Sequence, residues 1–222
     1  MHAEGDLVIP VLVNFVVGYL IGSIPFAYLL TRRVANVDIR NAGSGNVGGY
    51  NAYVVTRSKW TGLLVVVLDC LKGFVAVVAS LCLFPDSYLS LCLALLGALA
   101  GHNYSIWLGF KGGRGLATAA GGMFLLGPSY GVVWCVIWFI AKKLKRDILT
   151  SNLAGILVTP PILWILPWSV VRLFIVVRVE NGTYLFFGCV LSVVLLLSHL
   201  DAVRDIWKGA KTNGSEPLSP NS

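Results

Sequence analysis

The chain alternates long apolar stretches with short polar segments that are rich in glycine. Apolar windows long enough for a membrane helix run over residues 8–30, 60–84, 88–109, 149–168 and 183–200. A bilayer core about 30 Å thick requires roughly 20 such residues in a helix. The pattern therefore predicts an all-α polytopic membrane protein. We expect the first window to remain as a membrane helix, because it is too long for the core of a signal peptide and lacks a preceding basic region.

One further apolar run, residues 116–141, is interrupted in its middle by Gly127-Pro128-Ser129. Proline disfavours the continuation of a helix through its position. We therefore predict two short helices, divided at Gly127–Pro128. About 12 residues in a helix reach only roughly 18 Å, so we expect this pair to be partly re-entrant or packed inside the bundle.

Basic residues cluster in the segments between the apolar windows, near residues 32–40, 57–59, 111–114, 142–146 and 204–211. Cytoplasmic loops collect Lys and Arg, and the split at Gly127–Pro128 places all of these clusters on one face. The prediction is seven transmembrane helices, with the N-terminus outside and the C-terminus cytoplasmic. We expect one transmembrane domain over residues 1–207 and a disordered polar tail over residues 208–222.

The composition agrees with a multi-pass protein of the cell membrane. Of 222 residues, 57% are hydrophobic and only 12% are charged, whereas soluble domains carry about a quarter charged residues. The net charge of +7 suits an anionic lipid leaflet, and we expect membrane lipids rather than nucleic acid as partners. The five cysteines lie inside apolar runs without CxxC spacing, so no metal site or disulfide framework is predicted.

The first polar segment, "DIRNAGSGNVGGYN" at residues 38–51, has the features of an anion-binding loop. Its glycines allow tight turns and close approach of the backbone to a ligand. Successive N–H groups in such a loop can form a concave nest for an anion. Ser44, Asn46 and Asn51 add hydrogen-bonding side chains, and Arg40 adds positive charge.

The second polar segment, "DCLKG", lies within an apolar window. Asp69 and Lys72 are three residues apart, so on a helix they can neutralise each other. Ionisable groups at membrane depth usually line a cavity or pathway, although a purely structural ion pair remains an alternative for Asp69. Gly73 next to the buried lysine suggests that a ligand approaches the backbone there.

The third polar segment, residues 101–118, contains "FKGGRG". It lacks the spacing of a Walker A motif, but it combines two cations and glycine amides with a helix predicted to begin near Leu116. The positive N-terminus of a helix favours anions. A basic loop that only sets membrane orientation is the alternative. His102 and Ser105 precede this loop, and for His102 a structural role near the helix end stays open.

Together the three segments predict a site that binds phosphorylated species next to a lipid-facing interior. The sequence shows no carboxylate pair suited to hydrolysis, no Cys/His metal set and no Ser–His–Asp signature. We therefore expect no metal and no other cofactor.

The order of these motifs resembles a known family. "GSIPFAYLL", "DIRNAGSGNVGGYN", "DCLKG" and "GHNYSIWLGFKGGRGLAT" are similar to the signature blocks of the bacterial acyl-phosphate:glycerol-3-phosphate acyltransferases, over about residues 15 to 150. The resemblance implies a seven-helix membrane enzyme that transfers an acyl group from acyl phosphate to the 1-hydroxyl of glycerol 3-phosphate. The implied products are lysophosphatidic acid and phosphate. No acyl-enzyme is implied, and the absence of a carboxylate–histidine dyad fits proton uptake by the acceptor's own phosphate.

The resemblance also implies roles for individual residues. The catalytic positions that it implies are Ser44, Asn46, His102 and Lys111. The substrate-binding positions are Arg40, Gly43, Gly45, Gly48, Asn51, Arg57, Asp69, Lys72, Gly73, Ser105, Gly112, Gly113, Arg114, Gly115, Asn152 and His199.

Four positions depart from the family pattern. Tyr50 replaces a threonine, Val54 an arginine, Asn152 a serine and Ala202 an asparagine. Arg57 lies nearly one helical turn after Val54 and can take the place of the missing arginine. These changes leave two alternatives to the leading interpretation: the same fold and donor with another acceptor, or a non-catalytic relative such as an anion carrier. The chain lacks the paired repeats typical of carriers, which favours catalysis.

Overall fold

The computed structural model describes residues 2–84, 87–175, 177–201 and 203–204. The predicted tail at 208–222 and the altered position Ala202 lie outside these residues. The described part forms ten α-helices and three short 3-10 turns. The helices are α1 (His2–Gly22), α2 (Phe26–Ala35), α3 (Gly49–Thr56), α4 (Lys59–Leu83), α5 (Tyr88–Asn103), α6 (Leu116–Leu126), α7 (Pro128–Lys143), α8 (Ile148–Ile165), α9 (Trp168–Val171) and α10 (Asn181–Leu197).

The all-helical membrane architecture is confirmed. Four helical segments in the described part are long and apolar enough to cross a membrane, namely Leu12–Ala35, Lys59–Leu83, Tyr88–Leu108 and Ile148–Ile165. Shorter apolar helices, including Leu116–Leu126 and Asn181–Leu197, complete the bundle.

The predicted division of the run 116–141 is confirmed, since α6 ends at Leu126 and α7 begins at Pro128. Proline is well suited to this first helical position, where its missing N–H has no partner in the helix. The Tyr184 hydroxyl of α10 holds the break: it donates to the Gly127 carbonyl at 3.0 Å and accepts from the Tyr130 amide at 3.1 Å. Two short helices are therefore fixed by a third.

The first apolar window, predicted as one membrane helix, does lie in a segment long and apolar enough to cross the membrane, Leu12–Ala35, but this segment is not one continuous helix. Helix α1 ends at Gly22, and α2 begins at Phe26. Pro25 explains the break, because proline lacks an N–H and disfavours helical backbone at the residue before it. The break leaves the Ile24 carbonyl able to accept a hydrogen bond from Lys72 Nζ of α4 at 3.2 Å.

Helices α1 and α5 pack closely through glycines on both sides of the interface. A Cβ on Gly18 or Gly22 of α1 would overlap the backbone carbonyl of Ala94 or Ala98. Gly97 and Gly101 of α5 approach α1 in the same way. Small residues allow this contact between membrane helices, where tight van der Waals packing replaces the hydrophobic effect.

Helices α4 and α6 also pack closely through glycines on both sides of their interface. A Cβ on Gly73 would overlap the Thr118 carbonyl oxygen, and one on Gly121 would overlap that of Cys70. The close backbone approach expected at Gly73 is therefore an approach to α6. The structure gives this glycine a packing role, whereas Asp69 and Lys72 contact His102 of α5 and the Ile24 carbonyl at the α1–α2 break.

Candidate active site

Asn51 of α3 organises the first glycine-rich segment. Its Nδ2 group donates to the carbonyls of Ile39, Ala42 and Asn46 at 3.3, 3.0 and 3.0 Å. Its Oδ1 accepts from the Ser44 amide at 3.0 Å. The side chain is buried, at 2% exposure, so these bonds are not exchanged for bonds to water. Asn51 therefore fixes the backbone that presents Ser44 and Asn46.

Two glycines make this loop possible. Gly43 and Gly45 have φ values of +59° and +72°, a region that residues with a Cβ rarely adopt. At Gly43 a Cβ would also overlap Asn51 Oδ1. Gly48 has extended backbone and forms the start of α3. The segment is thus held tightly around one asparagine.

The guanidinium of Arg40 contacts three neighbouring groups. It forms an ion pair with Asp38 at 2.7 Å, donates through Nη1 to the Leu108 carbonyl at 3.3 Å and lies 5.2 Å from the centre of the Tyr28 ring. The hydrogen-bonded guanidinium lowers the pKa of Asp38 to about 2, and the carboxylate raises the pKa of Arg40. Arg40 therefore ties the first polar segment to the turn Ile106–Leu108 within the third.

The segment 111–115 is held by one residue nearby in the sequence, His102, and by one far away, Ser198. The Gly113 amide donates to the His102 carbonyl at 3.1 Å, and the Ser198 hydroxyl donates to the Arg114 carbonyl at 2.8 Å. A Cβ on Gly112 would overlap that same His102 carbonyl, and one on Gly113 would overlap the His102 imidazole. Lys111 is exposed, and Gly115, with φ +83°, leads into α6.

Asp69, Lys72 and His102 meet in the interior. Lys72 Nζ lies 2.9 Å from Asp69 Oδ1, and His102 Nδ1 lies 3.6 Å from the same oxygen. The sequence shows no carboxylate–histidine dyad, yet the fold pairs these two side chains from different helices. Ser105 lies close by and donates from Oγ to the Ser23 carbonyl at 2.6 Å.

Two large cavities open among the polar segments. The central cavity, about 500 Å³, is lined by residues that include Ser44, Asn46, Gly48, Asn51, Asp69, His102, Arg114, Gly115, Asn152 and His199. The loop cavity, about 580 Å³, is lined by residues that include Ser44, Gly45, Asn46, Lys111, Gly112, Gly113, Arg114 and Arg204. Ser44, Asn46 and Arg114 line both, so they form the wall between two spaces of substrate size.

Two smaller cavities adjoin the central one. The apolar cavity, about 300 Å³, includes Met123, Tyr130 and Trp134 in its lining and shares Val66, Leu116 and Ala117 with the central cavity. The Asp69 cavity, lined by Asp69, Lys72, His102 and Ser105 among others, has only about 10 Å³, roughly the space for one water molecule. The structure places Lys72 in this small space and outside the linings of both large cavities.

His199 and Asn152 line the side of the central cavity formed by α8 and α10. His199 Nδ1 is 2.7 Å from the Leu195 carbonyl, which can only accept, so Nδ1 carries the proton. Burial, together with the charge of Arg114, lowers the pKa of His199 to about 4. Its Nε2 has no hydrogen-bond partner among the described residues. Asn152 Oδ1 accepts from Trp138 Nε1 at 2.9 Å.

Two polar residues that line the central cavity were not predicted as binding residues: Asp147, and Tyr50, which the sequence shows only as a departure from the family pattern. Asp147 caps α8 by accepting from the amides of Leu149 and Thr150, and the Thr150 hydroxyl and these amides lower its pKa. An aspartate directly before an apolar window is typical of an N-cap, which is a signal in the sequence. Arg57, in contrast, ends α3 with φ +54°, is exposed and lies outside the cavity linings described above.

Fold and site together define an integral membrane protein with a polar, cationic site beside an apolar cavity. The sequence profile of the glycerol-3-phosphate acyltransferases matches residues 12–209. The chain is 34% identical to the glycerol-3-phosphate acyltransferase of Nitrobacter winogradskyi over 203 residues, which cover 90% of this chain and 94% of that one. The relative from Erythrobacter litoralis is 42% identical over 139 residues, covering 63% and 67%.

Comparison with solved structures leads to the same family as the sequence comparisons. The glycerol 3-phosphate form of PlsY (YgiH), an integral membrane glycerol 3-phosphate acyltransferase, matches with a TM-score of 0.72 and 30% identity over 90% of this chain and 92% of that one. A form of the same protein with lysophosphatidic acid gives a TM-score of 0.71. The chain belongs to the glycerol-3-phosphate acyltransferase family. It is an acyltransferase of phospholipid biosynthesis, with several helical spans in the membrane.

Proposed function

We propose that this enzyme transfers an acyl group from an acyl phosphate to the 1-hydroxyl of glycerol 3-phosphate at the wall formed by Ser44, Asn46 and Arg114. The observation that carries the proposal is that these three residues line both large cavities. Each substrate carries a phosphate, so the site must hold two anions close together. Two adjoining cavities with a shared polar wall meet this requirement.

Positive charge and amide groups surround the shared wall. Lys111 and Arg114 line the loop cavity, and Gly115 leads into α6 beside the central cavity. The N-terminus of α6 adds the partial positive charge of a helix end. These groups offset the repulsion between two phosphates, and they favour the negative charge that develops when the acyl carbonyl is attacked.

The acyl chain has a direct path out of the polar site. The apolar cavity shares Val66, Leu116 and Ala117 with the central cavity. It extends along α6 from Leu116 to Met123, about 10 Å at the rise of an α-helix. We assign this cavity to the chain of the acyl phosphate and, after transfer, of lysophosphatidic acid.

The reaction requires one bond exchange. The glycerol 1-oxygen forms a bond to the acyl carbon, the bond from that carbon to the phosphate oxygen breaks, and the hydroxyl proton passes to a phosphate. Because phosphate is a good leaving group, positioning and charge stabilisation can supply most of the rate. Ser44 and Asn46 have the donors to hold the reacting carbonyl or phosphate oxygens at the shared wall.

His199 suits a hydroxyl group better than a phosphate. With a pKa of about 4 it is neutral near pH 7, and its Nδ1 proton is bound to the Leu195 carbonyl. Nε2 therefore offers a lone pair to the central cavity and accepts rather than donates. We assign it to orienting a hydroxyl of glycerol 3-phosphate.

We further propose seven membrane spans in the cell membrane, with the N-terminus outside and the polar segments cytoplasmic, in one domain over residues 1–207. The four long spans, α6, α7 and α10 supply these seven segments. The central cavity gathers residues from the first segment, the third segment and the start of α8, which supports a common face for the basic clusters. Labelling of a cysteine introduced at Asn41, in intact cells against permeabilised cells, tests this orientation.

The proposed donor is tested with palmitoyl phosphate and purified protein. We expect phosphate release that depends on glycerol 3-phosphate and yields lysophosphatidic acid. Ser44→Ala and Arg114→Ala should lower turnover at least about 100-fold, in the range seen when an oxyanion-stabilising donor is removed. Lys143→Ala, which removes an exposed lysine outside the cavity linings, is the matched control and should leave turnover unchanged. Product formation only with another acyl donor would refute the proposal.

A further inference from the structure

The buried cluster of Asp69, Lys72 and His102 has no part in the bond exchange proposed above. Its side chains are only 3% to 6% exposed, within helices that span the membrane. Charged groups at membrane depth are costly and are retained where they serve a function. The contacts of each member show what this cluster holds in place.

Asp69 holds the imidazole of His102 from one side. Its Oδ1 lies 2.9 Å from Lys72 Nζ and 3.6 Å from His102 Nδ1. Nε2, on the other side of the ring, lies where a Cβ on Gly113 would be. The Gly113 amide also donates to the His102 carbonyl at 3.1 Å. The ring and its backbone therefore lie between Asp69 and the loop that carries Lys111 and Arg114.

Lys72 balances the carboxylate and fixes it to the scaffold. Its Nζ donates to the Ile24 carbonyl, which the break between α1 and α2 makes accessible. The adjoining Asp69 cavity holds roughly one water molecule, so neither phosphorylated substrate fits against this lysine. The cluster thus joins the α1–α2 break, α4, α5 and the 111–115 loop without direct access to substrate from Lys72.

We propose that Asp69 and Lys72 are positioning residues, which fix His102 so that it sets the position of the 111–115 loop and of the two cations that this loop carries. This inference rests on the phosphate-binding role proposed above for Lys111 and Arg114. It assigns to His102 the role of a support for the loop, acting through its contacts with Gly113.

The test distinguishes an effect of Asp69 and Lys72 on protein stability from an effect on the position of the 111–115 loop. In Asp69→Leu/Lys72→Met both charges are removed together, and a buried ion pair exchanged for apolar side chains commonly leaves stability intact. We expect a Tm within about 5 °C of wild type. The KM of glycerol 3-phosphate or palmitoyl phosphate should rise at least about tenfold, because the loop is misplaced. Lys72→Met alone, which leaves Asp69 unpaired, should lower the Tm clearly.

A double variant with wild-type Tm and both KM values unchanged would overturn the inference, because the pair would then be structural only. If the double variant does not fold, His102→Gln takes its place, since the ion pair remains intact there. We expect His102→Gln to show the same rise in KM, with a smaller change in kcat than in KM. Loss of kcat at unchanged KM would overturn the inference in favour of direct catalysis by His102.

Ser80→Ala is the matched control, because Ser80 is a buried polar residue of the same helix, remote from the cluster in sequence. Its Tm and KM values should equal those of wild type. The wild-type enzyme assayed in parallel separates the two proposals. If it fails to use palmitoyl phosphate, the proposed donor is wrong. The inference is then tested by calorimetric titration with glycerol 3-phosphate, where the double variant should bind about tenfold more weakly.

Discussion

The two glycine-rich segments at the active site are held in different ways. The segment 38–51 is organised by Asn51, which lies at its own end and bonds to backbone groups only 5 to 12 positions away. The segment 111–115 depends on His102 and Ser198, from α5 and the end of α10. The bonds that Asn51 makes in the first loop are thus all local, whereas the second loop is bonded locally to His102 and also to Ser198, 84 positions away.

Arg40 joins the two segments. It pairs with Asp38 in the segment 38–51 and donates to the Leu108 carbonyl, just before the segment 111–115. Because the shared wall combines Ser44 and Asn46 from one loop with Arg114 from the other, catalysis needs both loops in register. Changes to either loop should therefore reduce activity.

Asn51→Ala should have the largest effect. It removes the donor to three carbonyls and the acceptor for the Ser44 amide, at a position that is only 2% exposed. We expect kcat/KM to fall at least about 100-fold, with a loss of about 2 kcal/mol in the free energy of unfolding. Steady-state kinetics and thermal unfolding in detergent measure both. Asn41→Ala, an exposed asparagine in the same segment, is the control. Activity above a third of wild type would contradict the role of Asn51.

Gly113→Ala should have the next largest effect. The added Cβ would overlap the His102 imidazole and the Val47 carbonyl, so the loop must move away from both. We expect kcat/KM to fall about 30-fold, measured with glycerol 3-phosphate as the varied substrate. Gly109→Asn is the control, because Gly109 has open space around it and asparagine tolerates its positive φ. Equal activities for the two variants would speak against the tight contact at Gly113.

Acidification should affect His199, which follows the loop-supporting Ser198, at a higher pH than Asp38 in the segment 38–51. The folded pKa of His199, about 4, lies below its ordinary 6.5, so the unfolded chain takes up a proton first. Stability therefore falls as the pH decreases from 6.5 towards 4. The Asp38 carboxylate has a folded pKa of about 2 against 3.8. Its contribution is fully present above 3.8 and disappears only as the pH falls towards 2.

At about pH 5.5 the contribution of His199 is reduced by about 1 kcal/mol, whereas that of Asp38 is still fully present. Thermal unfolding of wild type and His199→Gln at pH 7.5 and 5.5 measures this difference. The decrease in Tm on acidification should be smaller in the variant. An equal decrease in both proteins would show that His199 does not titrate in this way.

Ser198→Ala should have the smallest effect. It removes the hydroxyl that is shared between the Arg114 carbonyl, at 2.8 Å, and the Leu195 carbonyl, at 2.7 Å, while His102 still supports the loop at Gly113. The loss of the hydrogen bond to the Arg114 carbonyl corresponds to about 1 kcal/mol, or about a fivefold rise in KM. Ser198→Thr, which keeps a hydroxyl, should retain more of the wild-type affinity. A KM in Ser198→Ala as low as in wild type would mean that the loop is held without Ser198.

Much of the fold was predictable because its signals are local. Apolar windows gave the helices, and Gly127-Pro128 gave the division between α6 and α7. Pro25 carries the same kind of signal within the first window, where a continuous helix was predicted and the structure has a break. Helix α3, with only eight residues, is too short to stand out as an apolar window and was not predicted.

By itself, the sequence determined which chemistry is present: glycine loops, cations and amide side chains between membrane helices, in an order typical of one family. Only the tertiary structure decided which of these groups meet. The pairing of Asp69 with His102 joins two helices, the shared wall of Ser44, Asn46 and Arg114 joins two loops, and His199 reaches the same central cavity from the end of α10. Such contacts depend on how closely the helices approach, and that is set by glycine-to-backbone packing between α1 and α5 and between α4 and α6.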